Sequence, residues 1–358
     1  MDAKNVARFA VVGTGSMAAT MMSTFDRAGV RVTAVASRDA KRGRQFAAAF
    51  GIPTAVEDLG FLLHSGEFDA VYIANASAEH ARTAIAALEA GKAVLCEKPL
   101  AFSATEAELV ADAAKRTGNL CMEGLWIPFL PAYRRFVELA RTNACGKPIH
   151  FSADFGYPIN EEALPRLFSP ATGGVLLDRA IYLVALALDV FGPVERVNAQ
   201  LDVTAGGVDR HAGVQLLHRG GGQSQLSASF ISLMSNSATL ACAEGLIRLE
   251  EPLIGAETVS IRRVPATPDL PQEPVQQLGA RQKLARTLRQ RQLLRRLKRA
   301  IPNARREYLG YGPDQYLPQL LHFLSLLSAG AKESDMIPLE LSLSIQRVID
   351  RARTAQGR

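Results

Sequence analysis

The chain has 358 residues, a length typical of two domains, and its 48% hydrophobic and 21% charged residues are those of an ordinary globular protein. No apolar run reaches the roughly 20 residues that a membrane-spanning helix needs, and the N-terminal residues lack the apolar core of a signal peptide. These features predict a cytoplasmic protein and argue against a membrane or fibrous one.

The cysteines and histidines do not form any recognisable metal-binding or disulfide pattern. The four cysteines are scattered without a Cys-x-x-Cys pair, and the six histidines show no His-x-x-x-His spacing. Scattered cysteines of this kind favour reduced thiols over a disulfide framework or a zinc site. We therefore predict no metal.

Basic charge is concentrated in one segment. Residues 281–306 carry eleven Lys or Arg and no acid, so the rest of the chain is acidic although the net charge is +6. Apolar residues in this segment share one helical face, which predicts an amphipathic helical insertion over about residues 275–308. A solvated helix packed on its own domain is the favoured interpretation; an oligomer contact and an acidic partner are the alternatives. We predict neither a membrane nor a nucleic-acid partner.

A glycine turn follows the first predicted strand and begins a helix. It has the pattern Gly-x-Gly-x-x-Ala and comprises Gly13, Thr14, Gly15, Ser16, Met17 and Ala18. In such a turn Gly13 permits the tight bend, Gly15 lets the backbone approach a pyrophosphate, and Ala18 lets the helix pack on the sheet. Amide groups at the helix start then face the phosphates. The turn predicts dinucleotide binding by residues 13–17.

The second predicted strand, residues 30–36, ends at the position that reads the ribose of a dinucleotide. Ser37 and Arg38 lie there, about 20 residues beyond the glycines. An acidic residue would accept hydrogen bonds from a ribose 2′-hydroxyl, whereas a hydroxyl and a guanidinium suit a 2′-phosphate, so NADP is favoured over NAD. Alternatively, Ser37 and Asp39 only cap the following helix.

Strands and helices alternate through the rest of the first half. This alternation predicts an α/β fold with a Rossmann-like, doubly wound parallel sheet over residues 1–124, which binds its ligand at the carboxyl ends of the strands. Asn75 and Lys98 lie at such ends, and with His80 and Glu97 they are candidate cofactor-binding residues. Taken alone, the charged residues before Pro99 are also compatible with a solvated turn.

From residue 125 the pattern changes. Predicted strands follow one another mostly without helices, which predicts a C-terminal α+β domain over residues 125–358 with an open, mainly antiparallel sheet. The strands are predicted at residues 149–155, 194–203, 214–219, 223–232 and 246–249.

One helix interrupts these strands. It begins at the pair Gly173-Gly174 and continues to about Asp189. Asp178 and Tyr182 are four residues apart, so they lie on one face of the helix and can point at a common site. The alternative is an aspartate that faces solvent and a tyrosine that packs against the sheet.

These motifs together resemble the glucose-fructose oxidoreductase/inositol dehydrogenase (GFO/IDH/MocA) family of NAD(P)-dependent sugar dehydrogenases. The resemblance covers nearly the whole chain and is carried by residues 13–18, 97–99, 173–182 and 332–339. Within the family the pattern is most similar to the dimeric dihydrodiol dehydrogenases and the NADP-dependent D-xylose dehydrogenases.

The resemblance implies an oxidoreductase that transfers a hydride between NADP and a hydroxyl-bearing carbon of a sugar or cyclic diol. It implies Lys98, Asp178 and Tyr182 as catalytic residues, with Tyr182 as the acid/base, and Arg166, Trp126 and Asp178 as substrate ligands. It also implies a homodimer, or a higher oligomer, through the second sheet. A non-catalytic NADP-binding sensor with the same fold is the alternative.

Two positions depart from the family pattern. Pro128 stands where relatives usually have an arginine, so one contact to cofactor or substrate is expected to be missing. Arg179 replaces an apolar residue directly after Asp178, which is expected to place a charge beside the active face. Both departures leave the identity of the substrate open.

Overall fold

The computed structural model describes residues 7–264 and 304–355. Its first sheet consists of β1 (Arg8–Val12), β2 (Arg31–Ala36), β3 (Thr54–Val56), β4 (Ala70–Ile73), β5 (Ala93–Glu97) and β6 (Cys121–Gly124). The strands are all parallel and pair in the order β3-β2-β1-β4-β5-β6. The doubly wound parallel sheet is confirmed. The order reverses between β1 and β4, whose carboxyl ends therefore border the crevice in which such folds bind ligands.

Helices connect these strands. They are α1 (Ser16–Arg27), α2 (Ala40–Phe50), α3 (Leu59–Ser65), α4 (His80–Glu89) and α5 (Ala104–Thr117), with a 3-10 turn at Ser77–Glu79. The central strands are buried on both faces, which is why β1 and β4 read as continuous apolar runs. Ser103 caps helix α5, because its Oγ accepts a hydrogen bond from the Glu106 amide at 3.2 Å.

The second sheet has eight strands. They are β7 (Pro148–Gly156), β8 (Val194–Val203), β9 (Asp209–His218), β10 (Gln223–Ser229), β11 (Ala238–Cys242), β12 (Gly245–Leu249), β13 (Thr258–Arg263) and β14 (Arg305–Tyr308). Their order is β14-β13-β12-β11-β7-β10-β9-β8, and every pair is antiparallel except β7 with β10. The mainly antiparallel sheet is confirmed. Strands β11, β13 and β14 were not predicted, because they are short and alternate irregularly between buried and exposed residues.

The helices of the second half pack on one face of this sheet and back onto the first half. They are α6 (Pro131–Arg141), α7 (Ile181–Phe191), α8 (Leu317–Ser328) and α9 (Leu339–Thr354), with 3-10 turns at Ile127–Phe129 and Pro165–Phe168 and a π-helical turn at Leu176–Ala180. Helix α9 packs against both α5 and α7, and so joins the two halves. The division into residues 1–124 and 125–358 stays a prediction.

A single apolar core runs from one face of the first sheet into the second half. It includes Phe9 and Tyr72 on the first sheet and Trp126, Phe151 and Leu183 beyond it. Because protein interiors are close-packed, this shared core holds the strand ends of the first sheet at a defined distance from α7. The ends of β1, β4 and β5 therefore face the helix that carries Tyr182.

The basic insertion predicted over about residues 275–308 lies mostly outside the described residues. Residues 305–308 are described and form the edge strand β14, so the prediction of a helix there is wrong. Their backbone pairs with residues 258–261 of β13, so backbone amide and carbonyl groups that would bond within a helix bond to β13 instead. In residues 7–264 and 304–355, no helix is long and apolar enough to cross a membrane.

Candidate active site

A cavity of about 1350 Å³ lies where the two halves meet. It exceeds the roughly 300–1,000 Å³ typical of a small-molecule site, as expected for a site that takes a cofactor and a substrate together. All predicted site residues line it, namely Gly13, Thr14, Gly15, Ser16, Met17, Ser37, Arg38, Asn75, His80, Glu97, Lys98, Trp126, Arg166, Asp178 and Tyr182. The cavity has a dinucleotide end at the glycine turn and a substrate end at α7.

The glycine turn has the shape that a pyrophosphate needs. Gly13 adopts a φ of +108°, and a Cβ there would lie 2.4 Å from the carbonyl oxygen of Ala74, so only glycine fits. At Gly15 a Cβ would meet nothing within 4 Å, which means that the backbone borders open cavity. Gly15 also begins α1 without a side-chain cap, and the first amides of the helix are left to bind an anion. The turn therefore fits the phosphates of a dinucleotide.

The ribose end carries arginines that make no ion pair within the described chain. Arg38 is exposed, lines the cavity and has no hydrogen bond or ion pair among the described residues. Asp39 is not available to a ribose, because its carboxylate caps α2 by accepting the Arg42 amide at 3.0 Å. The capping alternative is thus correct for Asp39, whereas Ser37 forms no cap. Arg42 also lines the cavity, one helical turn after Arg38.

The ends of β4 and β5 are joined by His80. Its Nδ1 lies 2.7 Å from the carbonyl oxygen of Pro99 and its Nε2 lies 3.3 Å from that of Asn75. Burial lowers the pKa of His80, so we assign a neutral ring that donates from Nδ1 across the shorter distance. Nδ2 of Asn75 donates to Thr83, but its buried Oδ1 has no partner among the described residues. This unpaired acceptor beside the glycine turn is a further point at which a dinucleotide fits.

Lys98 lines the cavity and contacts residues of the second half. Its Nζ donates to Oδ1 of Asp178 at 2.9 Å and to the backbone carbonyl oxygen of Asp178 at 2.8 Å. It also lies 5.0 Å from the centre of the Tyr182 ring. The ammonium has three donors, and the third is not used by any described residue. Lys98 from the first half and Asp178 and Tyr182 from the second therefore form one cluster, and the solvated-turn interpretation of Lys98 is wrong.

The helix that carries Asp178 and Tyr182 begins differently from the prediction. It starts with the π-helical turn Leu176–Ala180 instead of directly at the glycine pair. The pair has another use: Gly174 has a φ of +107°, and a Cβ there would lie 2.6 Å from Oδ1 of Asp209. Oδ2 of Asp209 accepts a hydrogen bond from the Leu176 amide at 2.6 Å, so this amide at the start of the helix has a partner. π-Helical turns occur frequently at functional sites.

Burial and charge set the protonation of the cluster. Burial tends to lower the pKa of Lys98, but the adjacent charge of Asp178 outweighs it and raises that pKa above its usual value. Burial tends to raise the pKa of Asp178, but Lys98 outweighs it and holds that pKa below its usual range. Burial raises the pKa of Tyr182 to about 12, although Lys98 opposes this. At neutral pH the cluster is an ammonium–carboxylate pair beside a neutral phenol.

Glu97 is the second carboxyl group in this region. Its Oε1 accepts a hydrogen bond from the hydroxyl of Tyr72 at 2.7 Å. Burial raises the pKa of Glu97 to about 7, against the opposing effects of Tyr72 and Lys98. Tyr72 is fully buried on β4, so it holds Glu97 at the end of β5 beneath the cavity.

Aromatic side chains line the substrate end. Nε1 of Trp126 donates to the Tyr182 hydroxyl at 3.2 Å, which leaves the phenolic proton free to point into the cavity. The Trp126 ring packs edge-on against Tyr316, with 5.0 Å between ring centres. Leu177 and Arg166 complete this end.

The two departures from the family pattern lie outside the cavity lining. Pro128 is buried in the 3-10 turn Ile127–Phe129. The expectation that Arg179 places a charge beside the active face is confirmed, because its Nε lies 4.0 Å from Oδ2 of Asp178. The guanidinium also extends over the Phe230 ring and donates to the carbonyl oxygen of Tyr157 at 2.8 Å and to that of Ser229. Backbone carbonyl groups and an aromatic face draw the arginine inward.

Tyr316 and Arg42 are among the lining residues that were not predicted from the sequence. Tyr316 precedes α8 in a stretch without a motif, so no sequence signal places it beside Trp126. Arg42 had a signal, because it lies in the first turn of the helix that directly follows Arg38 and the cap Asp39.

Comparison with known proteins agrees with this architecture. A family model described as "Oxidoreductase family, NAD-binding Rossmann fold" matches residues 7–125, and one described as "GFO/IDH/MocA C-terminal domain" matches residues 133–248. The trans-1,2-dihydrobenzene-1,2-diol dehydrogenase of Mus musculus is 27% identical over 356 residues, which are 98% of this chain and 97% of that protein. Its counterpart in Oryctolagus cuniculus is 34% identical over 248 residues, 68% of this chain and 75% of that protein.

A solved structure gives the same fold. KijD10, a 3-ketoreductase from Actinomadura kijaniata in complex with NADP and TDP-benzene, matches with a TM-score of 0.79 and 23% identity, and 98% of each chain is covered. The glycine turn, the two sheets and the sequence matches thus agree. The chain belongs to the GFO/IDH/MocA oxidoreductase family and is an enzyme that uses a nicotinamide dinucleotide in a dehydrogenase or reductase reaction.

Proposed function

We propose that the enzyme uses NADP to interconvert a hydroxyl-bearing carbon of a sugar or cyclic diol and the corresponding carbonyl, by hydride transfer. The observation that carries the proposal is the cluster of Lys98, Asp178 and Tyr182 between the glycine turn and the aromatic substrate end. The names of the curated relatives, which are dihydrodiol dehydrogenases, support a cyclic substrate. Trp126 and Tyr316 offer apolar faces on which a ring can pack.

The chain would hold the cofactor at three places. The amides after Gly15 would bind the pyrophosphate, Asn75 would receive a donor at its unpaired Oδ1, and Ser37 with Arg38 would bind a 2′-phosphate. When bound, the nicotinamide supplies the two-electron redox chemistry, and the protein supplies position and electrostatics.

Tyr182 is the proposed acid/base. In reduction its hydroxyl donates a proton to the substrate carbonyl oxygen, and in oxidation it accepts the proton of the substrate hydroxyl. The ammonium of Lys98 stabilises the phenolate and can donate its third hydrogen bond to the same substrate oxygen. Asp178 holds Lys98 in this position through two hydrogen bonds.

A screen of NADP⁺ reduction over pyranoses and cyclic diols, together with NADPH oxidation over the corresponding ketones, tests this function. Turnover of at least one compound, followed by nicotinamide absorbance, is the expected result. NADPH binding without turnover of any of them would contradict the proposal and favour the non-catalytic sensor.

The pH dependence should differ between the two directions. Because the pKa of Tyr182 is raised to about 12, the hydroxyl is protonated at neutral pH and the phenolate fraction rises about tenfold per pH unit below that pKa. We expect kcat/KM for oxidation to increase with pH between neutral and alkaline conditions, and kcat/KM for reduction to stay flat. An oxidation rate that falls with rising pH, in a protein that stays folded, would contradict this assignment.

The cofactor preference should depend on Arg38. Arg38→Ala is expected to weaken NADPH binding about 10- to 100-fold, because a charge-assisted hydrogen bond to the 2′-phosphate is lost, and to change NADH binding little. Binding of both cofactors is measured by fluorescence titration. Arg44→Ala is the control, since Arg44 is exposed on α2, the helix that follows Arg38, but does not line the cavity. Equal losses of NADPH and NADH affinity in Arg38→Ala would rule out the 2′-phosphate assignment.

A homodimer through the open face of the second sheet is the proposed assembly. Helices α6, α7 and α9 pack on one face of the sheet, while Gln215, Gln223 and Gln225 are exposed on the other. Light scattering after size-exclusion chromatography measures the assembly, and a monomer at micromolar concentration would contradict this proposal.

A further inference from the structure

Arg166 is a charged residue at the substrate end without a partner. The charges of Lys98 and Asp178 neutralise each other, and Glu97 accepts a hydrogen bond from Tyr72. The guanidinium of Arg166 makes no hydrogen bond, ion pair or ring contact with any described residue, although it lines the cavity. The substrate end thus carries an uncompensated positive charge.

The backbone around Arg166 is held in place. Its carbonyl oxygen accepts a hydrogen bond from Oγ1 of Thr172 at 2.8 Å, and that of Leu167 accepts the Gly174 amide at 2.9 Å. A Cβ on Gly173 would lie 2.1 Å from the Leu167 carbonyl oxygen, so this close contact requires glycine. The turn that carries Arg166 is therefore rigid, and only the side chain has to be ordered when a ligand binds.

The guanidinium of Arg166 is exposed at the cavity and acts electrostatically on Asp178. Burial tends to raise the pKa of Asp178, but Lys98, then Arg179 and then Arg166 lower it. The guanidinium of Arg179 already donates to the carbonyl oxygens of Tyr157 and Ser229, whereas that of Arg166 makes no hydrogen bond with any described residue. A sugar hydroxyl can be bound by any polar group, but a planar guanidinium with five donors and no acceptor matches two oxygens of a carboxylate or phosphate.

We infer that the substrate is an anion, a sugar or cyclic diol that carries a carboxylate or a phosphate, and that Arg166 binds this group while the reacting hydroxyl lies at Tyr182. The inference rests on the proposed function for the position of the reacting hydroxyl. It narrows the substrate class from neutral polyols to their acidic derivatives.

Trp126 provides a binding signal that does not require turnover. It is the only tryptophan of the chain and lies at the substrate end. We would titrate the NADP⁺ complex with D-glucose, D-glucuronate and D-glucose 6-phosphate and follow tryptophan fluorescence. We expect at least one anion to bind about 10- to 100-fold more tightly than D-glucose, and the stronger of the two distinguishes a carboxylate from a phosphate.

Arg166→Gln should weaken binding of the preferred anion about 10- to 100-fold and should weaken binding of D-glucose much less, so that the preference for the anion is lost. Arg219→Gln is the matched control, because it removes the same charge from an exposed arginine outside the cavity lining and should keep the preference. Equal binding of all three sugars, no binding of either anion at millimolar concentration, or an equal loss for all three in Arg166→Gln would overturn the inference.

The inference and the proposed function can fail separately. Turnover of a neutral sugar or diol without any preference for anions would leave the proposed function intact and refute the role of Arg166. Arg166-dependent binding of an anion without turnover of any substrate would support the role of Arg166 and contradict the proposed function.

Discussion

Tyr182→Phe is expected to lower kcat about 10²- to 10⁴-fold, the usual contribution of a positioned acid/base. The substitution removes the hydroxyl that exchanges a proton with the substrate and keeps the ring, which still packs against Phe155 and Lys98. NADPH affinity should not change, since the hydroxyl hydrogen-bonds only to Trp126 among the described residues. Steady-state turnover and NADPH titration on the same preparation give both quantities.

Tyr133→Phe is the control for this experiment. Tyr133 is also a buried tyrosine, and its hydroxyl donates to Oδ2 of Asp189 at 2.7 Å, outside the cavity lining. Loss of that hydrogen bond should lower the free energy of unfolding by about 1 kcal/mol and leave kcat unchanged. Full activity of Tyr182→Phe on a confirmed substrate would exclude Tyr182 as the acid/base.

Lys98→Met is expected to abolish measurable turnover while NADPH still binds. The change removes the charge that stabilises the phenolate and leaves the carboxylate of Asp178 with only the longer contact to Arg179, whose Nε lies 4.0 Å from Oδ2. Removal of one partner of a fully buried ion pair lowers the free energy of unfolding by about 3–5 kcal/mol. Because 33% of the Asp178 side chain is exposed, we expect Lys98→Met to lower it by about 1–3 kcal/mol. Turnover and chemical denaturation measure the two effects.

The stability loss in Lys98→Met should also depend on pH. In the wild type, Lys98 holds the pKa of Asp178 below its unfolded value, so the ionised carboxylate stabilises the fold above that value. Without Lys98, the effect of burial on the pKa of Asp178 is opposed only by Arg179 and Arg166, so ionisation of Asp178 stabilises the fold less at neutral pH. The stability difference from wild type should therefore be larger at neutral than at acidic pH.

The double variant Lys98→Met/Asp178→Asn separates stability from chemistry. Removal of both charges leaves neither Lys98 nor Asp178 without the other, while Arg179 keeps its hydrogen bonds to two backbone carbonyl groups. Part of the lost stability should therefore return while turnover stays absent. If the double variant regained turnover, Lys98 would act only by neutralising Asp178, and its role beside Tyr182 would be wrong.

Local patterns allowed much of the dinucleotide end to be predicted. The glycine turn follows a strand and begins a helix, and strand and helix periods are properties of a few consecutive residues. The order of strands and helices then places Gly13, Asn75 and Lys98 at the same edge of the sheet. The roles assigned to these residues stay predictions until they are measured.

The substrate end depends on contacts between distant parts of the chain. Lys98 and Asp178 are 80 residues apart, and the structure brings Nζ and Oδ1 to 2.9 Å. Sequence spacing placed Asp178 and Tyr182 on one face but did not indicate the π-helical turn before α7. It also did not indicate that the guanidinium of Arg179, the next residue, donates to the carbonyl oxygens of Tyr157 and Ser229 in the second half.

The sequence by itself thus determined the doubly wound sheet, the cofactor turn and the candidate residues, because each is encoded within a short segment. Only the tertiary structure decided which of these residues meet. The direction of Arg179, the contact of Trp126 with Tyr316 and the free guanidinium of Arg166 follow from the packing of α7, α8 and the second sheet around one core. That packing joins residues far apart in sequence, so no local period encodes it.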